Sequence, residues 1–145
     1  MTAPPNVSNN RLRLLTAAQT APVVETAAFD PIPAGGIDHF GFDLSADAGA
    51  AGLVSTELTA TFADDDNVGA TDPDPASRIL ATWAVTEVVV GALADDTANT
   101  YPGAFTVAQI GGMPASAVGG AHTLTAATTF DDGRVIIVAS DVLCS

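Results

Sequence analysis

The sequence predicts an all-β fold: an antiparallel β-sandwich preceded by an extended N-terminal arm. Three observations carry that expectation. Apolar and polar residues alternate over short runs, the period of a half-buried strand. Clusters of Gly, Pro, Asp and Asn punctuate the runs at regular intervals, as turns between short strands do. No stretch sustains the 3.6-residue period of an amphipathic helix. Seven or so such strands in 145 residues describe one sandwich domain. That length can bury a real core without disulfides or metals.

Residues 1–21, MTAPPNVSNNRLRLLTAAQTA, read as the arm, and residues 22–145 as the sandwich domain. Pro4-Pro5 and Asn9-Asn10 resist regular structure. Arg11, Leu12, Arg13, Leu14 and Leu15 form an alternating segment suited to docking on a neighbouring subunit; a disordered terminus is the other reading. Residues 22–29, PVVETAAF, predict a first strand with Val24, Thr26 and Ala28 on one face. Asp30-Pro31-Ile32-Pro33 and Gly35-Gly36 predict a turn-rich link.

Residues 37–45, IDHFGFDLS, predict a strand with Phe40, Phe42 and Leu44 inward and His39, Gly41 and Asp43 outward. A small-residue loop is expected over 46–52. Residues 53–62 continue the alternation, with Val54, Thr56, Leu58, Ala60 and Phe62 sharing a face. The acidic run 63–77, ADDDNVGATDPDPAS, is expected as a loop whose prolines forbid a helix. Residues 78–90 predict one long strand or two short ones, with Ile79, Ala81, Trp83 and Val85 on one face. Residues 91–103, around Asp95-Asp96 and Tyr101-Pro102-Gly103, are expected as a loop. A strand follows over 104–110, and Gly111-Gly112 and Gly119-Gly120 flank a flexible connection.

The chain then closes in a hairpin. Leu124, Ala126, Thr128 and Phe130 alternate with Thr123, Thr125, Ala127 and Thr129, and Asp132-Gly133 supplies a two-residue turn. The return strand is apolar on both sides, with Val135, Ile137 and Ala139 opposed to Ile136, Val138 and Val142. A strand of that kind expects cover on both faces. Ile136, Val138 and Val142 are therefore candidates for a partner or self-association surface; cover by the second sheet is the alternative.

The charge balance excludes several functions. Lys and Arg total 4, Asp and Glu 17, and the net charge is −13. Lysine is absent, and the arginines are Arg11, Arg13, Arg78 and Arg134. Nucleic-acid binding needs cations to replace condensed counterions, so it is excluded. An anionic membrane surface is disfavoured for the same reason. The acidity reads first as a solubility property. Cys144 is the sole cysteine and cannot form an intrachain disulfide. The opening residues lack the basic-then-apolar pattern of a secretory signal, and no window resembles a transmembrane span.

Reaction chemistry is sparse. His39 and His122 are the only histidines, and no Gly-x-Ser-x-Gly elbow accompanies them. A structural role is expected for both, and no catalytic residue is assigned. Two distant histidines and one cysteine do not make a zinc site. Glycoside cleavage needs two carboxylates at fixed separation, whereas Glu25, Glu57 and Glu87 lie unpaired on expected strands. Asp64, Asp66, Asp72 and Asp74 supply oxygens for a weak calcium candidate, without the spacing of a calcium loop. No cofactor is expected.

TDPDPASRIL at 71–80, VAQIGG at 107–112 and GGAHTLTAATTFDDGRVIIVASDVLC at 119–144 together resemble small all-β virion proteins of tailed bacteriophages. In those proteins an Asp-Pro-rich segment precedes a strand, and a Gly-Gly turn leads to a threonine-rich strand, an Asp-Gly-Arg turn and an apolar strand. FGFDLSAD, from Phe40 to Asp47, is similar to a strand of their Ig-like domains. This chain departs in carrying a longer segment at about 81–106, and in His122, where a tyrosine is usual. The resemblance implies an Ig-like sandwich on the virion surface: a non-enzymatic capsid decoration (cement) protein, made in the host cytoplasm, that binds the major capsid protein or another virion protein. A homo-oligomer is expected from the symmetry of capsid sites. An adhesion module of a fibre, tail or surface, binding glycan or host protein through the acidic loops and Tyr101, is the alternative.

Overall fold

The computed structural model describes residues 6–7, 12–14, 24–25, 29–48, 51–91 and 98–145. Strands run in the order β1 (Asn6–Val7), β2 (Leu12–Leu14), β3 (Val24–Glu25), β4 (Phe29–Ile32), β5 (Ile37–Asp43), β6 (Leu53–Ala63), β7 (Ile79–Gly91), β8 (Ala98–Gly111), β9 (Ala121–Phe130) and β10 (Val135–Cys144). They form two five-stranded sheets. One has the order β1-β7-β8-β5-β2; the other is β3-β10-β9-β6, with β4 also on β10. The chain is therefore an all-β sandwich, and its long strands pair antiparallel as expected.

The short strands differ from that expectation. β1 pairs with β7, β2 with β5, and β3 and β4 with β10, all in parallel. Of the predicted first strand over 22–29, Val24, Glu25 and Phe29 are strand residues beside β10, with 26–28 outside the described residues, and Asp30-Pro31-Ile32 belongs to a strand rather than a link. Pro31 is tolerated because β4 lies at a sheet edge. Within the predicted arm, Leu12, Arg13 and Leu14 take Gly41, Phe42 and Asp43 of the same chain as backbone partners, so this segment completes its own sheet. Arg11 and Leu15 lie outside the described residues.

The core forms where the inward faces meet. Phe40, Phe42 and Leu44 enter it from the β5 side, Ala104, Ala108 and Ile110 from β8, and Leu124, Ala126 and Phe130 from β9. Phe29 packs its ring 4.9 Å from Phe40 and 5.5 Å from Phe42, in the tilted geometry aromatic pairs favour. Ile136, Val138 and Val142 are buried in this same core. They are not a partner-binding face: the opposing sheet covers them, and the outward side of β10 carries Val135 and Ile137.

Other local differences have physical causes. A bulge between Leu53 and Ser55 turns Val54 out to solvent and packs Leu53 against the core in its place. A second bulge, between Ile79 and Ala81, splits the predicted face of β7. Ile79 packs on the main core, while Trp83 and Val85 pack on a separate cluster of Val88, Phe105 and Val107. Residues 101–103 are strand, not loop. Ser45–Ala48 forms one helical turn that takes the last residue of the expected 37–45 strand and the start of the expected 46–52 loop. Pro75 opens a 3-10 turn over Pro75–Arg78, the position in a helical turn that best accepts proline. The connection after Gly112 is packed rather than flexible, with Met113 and Ala117 buried.

The hairpin loop also differs. Phe130 donates its amide to Arg134 O, and Gly133 donates to Phe130 O. Gly133 alone in the turn has a positive φ, at 89°. This is a three-residue loop ending in a left-handed glycine, and it replaces the two-residue turn.

Hydroxyls join the sheets through the core. Thr106 of β8 and Thr128 of β9, both fully buried, share a 2.6 Å hydrogen bond, and Thr56 of β6 lies 3.3 Å from Thr128. Removing one member strands a buried hydroxyl, which costs about 1–3 kcal/mol, whereas apolar replacement of both partners is close to neutral. Thr128→Val is therefore expected to lower stability by about 1–2 kcal/mol in urea unfolding. The Thr106→Val/Thr128→Val double variant is expected to recover most of that loss.

Candidate functional site

The acidic loop between β6 and β7 is built to hold one shape. Asp64 accepts hydrogen bonds from the Val68 and Gly69 amides at 3.1 and 2.8 Å. Asn67 and Gly69 take positive φ values of 54° and 78°, where Asn and Gly are the residues that fit. The loop is then stitched to the connection before β9. Asp66 N donates to Gly119 O at 3.1 Å, Thr71 N to Ser116 O at 2.8 Å, and Ser116 Oγ to Thr71 O at 2.9 Å. Gly120 lies so close to the Phe62 ring that a side chain there would collide with it.

At the base of this loop Asp72 points inward. Arg78 grips it with two hydrogen bonds, Nε to Oδ2 at 2.9 Å and Nη2 to Oδ1 at 2.7 Å. Asp74 N donates to Oδ1 at 3.0 Å, and His122 Nε2 lies 2.5 Å from Oδ2. Arg78 also donates from Nη1 to Gly112 O at 2.9 Å. The Asp72 and His122 side chains are 0% exposed, and that of Arg78 is 16%. The Arg78 guanidinium holds the Asp72 carboxyl well below its ordinary range against the opposing effect of burial, with His122 and the Asp74 amide helping. Asp72 raises the Arg78 pKa in return.

An ionised Asp72 accepts, so His122 donates from Nε2. Its Nδ1 then has no hydrogen-bond partner among the described residues, and its ring packs 4.9 Å from Phe62. A carboxylate holding a histidine is the orienting half of a catalytic triad. Here no nucleophile among the described residues meets the other nitrogen, and the ring is buried. Cys144 is buried at the same end of the sandwich. Burial, and secondarily the Asp72 charge, push its thiol pKa up, so it stays protonated and weakly nucleophilic.

The weak calcium candidate is not assembled. Asp72 is committed to Arg78 and His122, Asp64 to loop amides, and no group of three or more His, Cys, Asp or Glu could hold a metal among the described residues. Glu57 and Glu87 are exposed on different sheets, and the Glu25 and Tyr101 side chains lie outside the described ones. His39 stacks near Trp83 at 5.5 Å.

The buried node shapes a surface. The ends of β6, β8 and β10 and the starts of β5, β7 and β9 share one end of the sandwich. Ile37, Val68, Leu80 and Val118 are exposed there, beside the carboxylates of Asp64, Asp65, Asp66 and Asp74. A cleft of about 270 Å³ lined by Pro31, Asp66, Val118, Leu143 and Cys144 opens at the same end. The sequence displayed Asp72 and His122 as separate features, and no local pattern joins residues 50 positions apart. The available signal was Arg78, the lone cation beside an acidic loop.

Asp72→Asn is expected to cost about 3 kcal/mol at pH 7, the lower range for breaking a buried charge pair. Its pH dependence carries a definite sign. The folded-state pKa of Asp72 lies below its unfolded value, so its contribution is present above the unfolded pKa and lost as pH falls toward the folded one. Urea titrations below about pH 4 should therefore show a steeper loss of stability in the wild type than in Asp72→Asn. No protein-family model, no curated protein and no solved structure matches the chain.

Proposed function

We propose that the protein is a structural component of a tailed-phage virion, a capsid decoration (cement) protein that binds and stabilises the major capsid protein lattice without catalysis. The observation that carries this reading is the sandwich end where Ile37, Val68, Leu80 and Val118 stand exposed around a stiffened acidic loop. Exposed apolar groups rimmed by charge are the make-up of a docking patch. A patch whose loop is already fixed by Asp72 loses little entropy on binding. The sequence resemblance over 71–80 and 107–144 points to the same class of protein. The net charge of −13 keeps such a protein from competing for packaged DNA.

The adhesion-module alternative has less support. Its calcium set is not assembled, and residues 101–103 lie in a strand rather than a binding loop. Homo-oligomerisation at symmetric capsid sites remains part of the proposal.

Co-sedimentation with particles built from the major capsid protein of the same phage tests the reading. The wild type is expected to saturate the particles and raise their thermal stability. Val68→Asp/Val118→Asp, both at exposed positions, should weaken binding at least tenfold with an unchanged Tm. Absence of particle binding by the wild type, or full binding by the double variant, would contradict it.

A further inference from the structure

The two flanks of the sandwich are finished differently. On one, the edges of β5 and β10 are covered by β2, β3 and β4. Beneath them Phe40, Phe42, Val138 and Val142 are fully buried. On the other flank stand β6 and β7, and there β1 pairs with β7 at Val89 and Val90. β6 pairs with β9 along its length, and among the described residues nothing pairs with its other edge. Of its inward residues Ala60 is buried, but Thr56, Leu58 and Phe62 remain only half-buried, while Leu124, Ala126 and Thr128 beside them on β9 are fully buried. Ile79 of β7, which packs on the main core, is likewise only partly covered.

β6 is also long for an edge, at 11 residues, or about 36 Å of extended chain. Natural edges are protected by lysine, proline, brevity or bulges. This strand has no lysine and no proline, and its bulge sits at its first residues. Its outward face of Ser55, Glu57, Thr59 and Thr61 does not obstruct a further strand.

We propose that the free edge of β6 accepts an extended, basic segment of another protein as an added β-strand. Charge selects the occupant. Glu57 and Glu87 project from this flank, Asp64, Asp65, Asp66 and Asp74 follow at its end, and Arg78 is engaged by Asp72. A second copy of the chain brings the same carboxylates, whereas a strand with Lys or Arg at alternate positions brings their complement. Identifying that segment as part of the capsid protein rests on the reading above; the edge itself does not.

The probe is a ten-residue peptide alternating Lys and Val, compared with a Glu/Val peptide and with a Lys/Val peptide interrupted by prolines. Fluorescence anisotropy and backbone hydrogen exchange are the readouts. The Lys/Val peptide is expected to bind at least tenfold more tightly than either control and to protect amides within Leu53–Ala63. Glu57→Lys/Thr61→Lys should weaken it at least tenfold with the Tm unchanged. Equal binding of the proline-interrupted peptide, absence of new protection in β6, or a peptide-free dimer protected along β6 would overturn the proposal. Peptide addition to β6 by a protein that binds no particles would support the edge and sink the virion reading. Particle binding abolished by Val68→Asp/Val118→Asp but untouched by Glu57→Lys/Thr61→Lys, together with no peptide binding, would do the reverse.

Discussion

Asp72 is the constraint from which the shape of one end of this molecule follows. Its carboxylate is taken by Arg78 at the start of β7, by His122 at the start of β9 and by the amide of Asp74 in its own loop. Through Arg78 it also reaches the carbonyl of Gly112, where β8 gives way to the next connection. One side chain thus ties both sheets to the loops that join them. A buried carboxylate is costly to desolvate and stays ionised only when its partners are in place. The arrangement therefore specifies a geometry more than it adds net stability. It stiffens an otherwise acidic loop that self-repulsion would spread.

The strands were legible in the sequence because period-two alternation survives in β5, β6 and β9. Phe40, Phe42 and Leu44 go inward for the reason their spacing suggests. The return strand was harder. Alternation tells which residues share a face, not which face is inside, and β10 is apolar on both. Ile136, Val138 and Val142 consequently read as a surface in need of cover when they are the covered side. β1 to β4 are too short to show a period, and Pro31 disguises β4 as a turn. Bulges hide for a related reason: one added residue shifts the phase, and Val54 points outward where its neighbours in the pattern point in. The candidate site was least legible, since an Asp and a His on separate elements meet only after both sheets have formed.

Edge management links the fold to its proposed role. Parallel strands from the N-terminal part of the chain cover β5 and β10, and hydrogen bonds that would template foreign strands are used internally. On the opposite flank β1 pairs with β7, whereas β6 has no second partner among the described residues, and the half-buried state of Leu58 and Phe62 is the structural sign of that difference. In the proposed role such asymmetry would be useful, because one finished side limits self-pairing there while the β6 edge and the fixed tip would face the partner. The near absence of cations adds to this selectivity at the β6 edge, where a second copy of the chain would bring the same carboxylates.

Native-state hydrogen exchange at the Asp66, Thr71 and Asp74 amides tests most directly whether Asp72 fixes the tip. These amides donate to Gly119 O, Ser116 O and Asp72 Oδ1. In the wild type they should exchange slowly, and in Asp72→Asn they should lose protection while the β8 and β9 amides keep theirs. Rapid exchange of the three amides in the wild type, or unchanged protection in Asp72→Asn, would contradict a tip organised by this carboxylate.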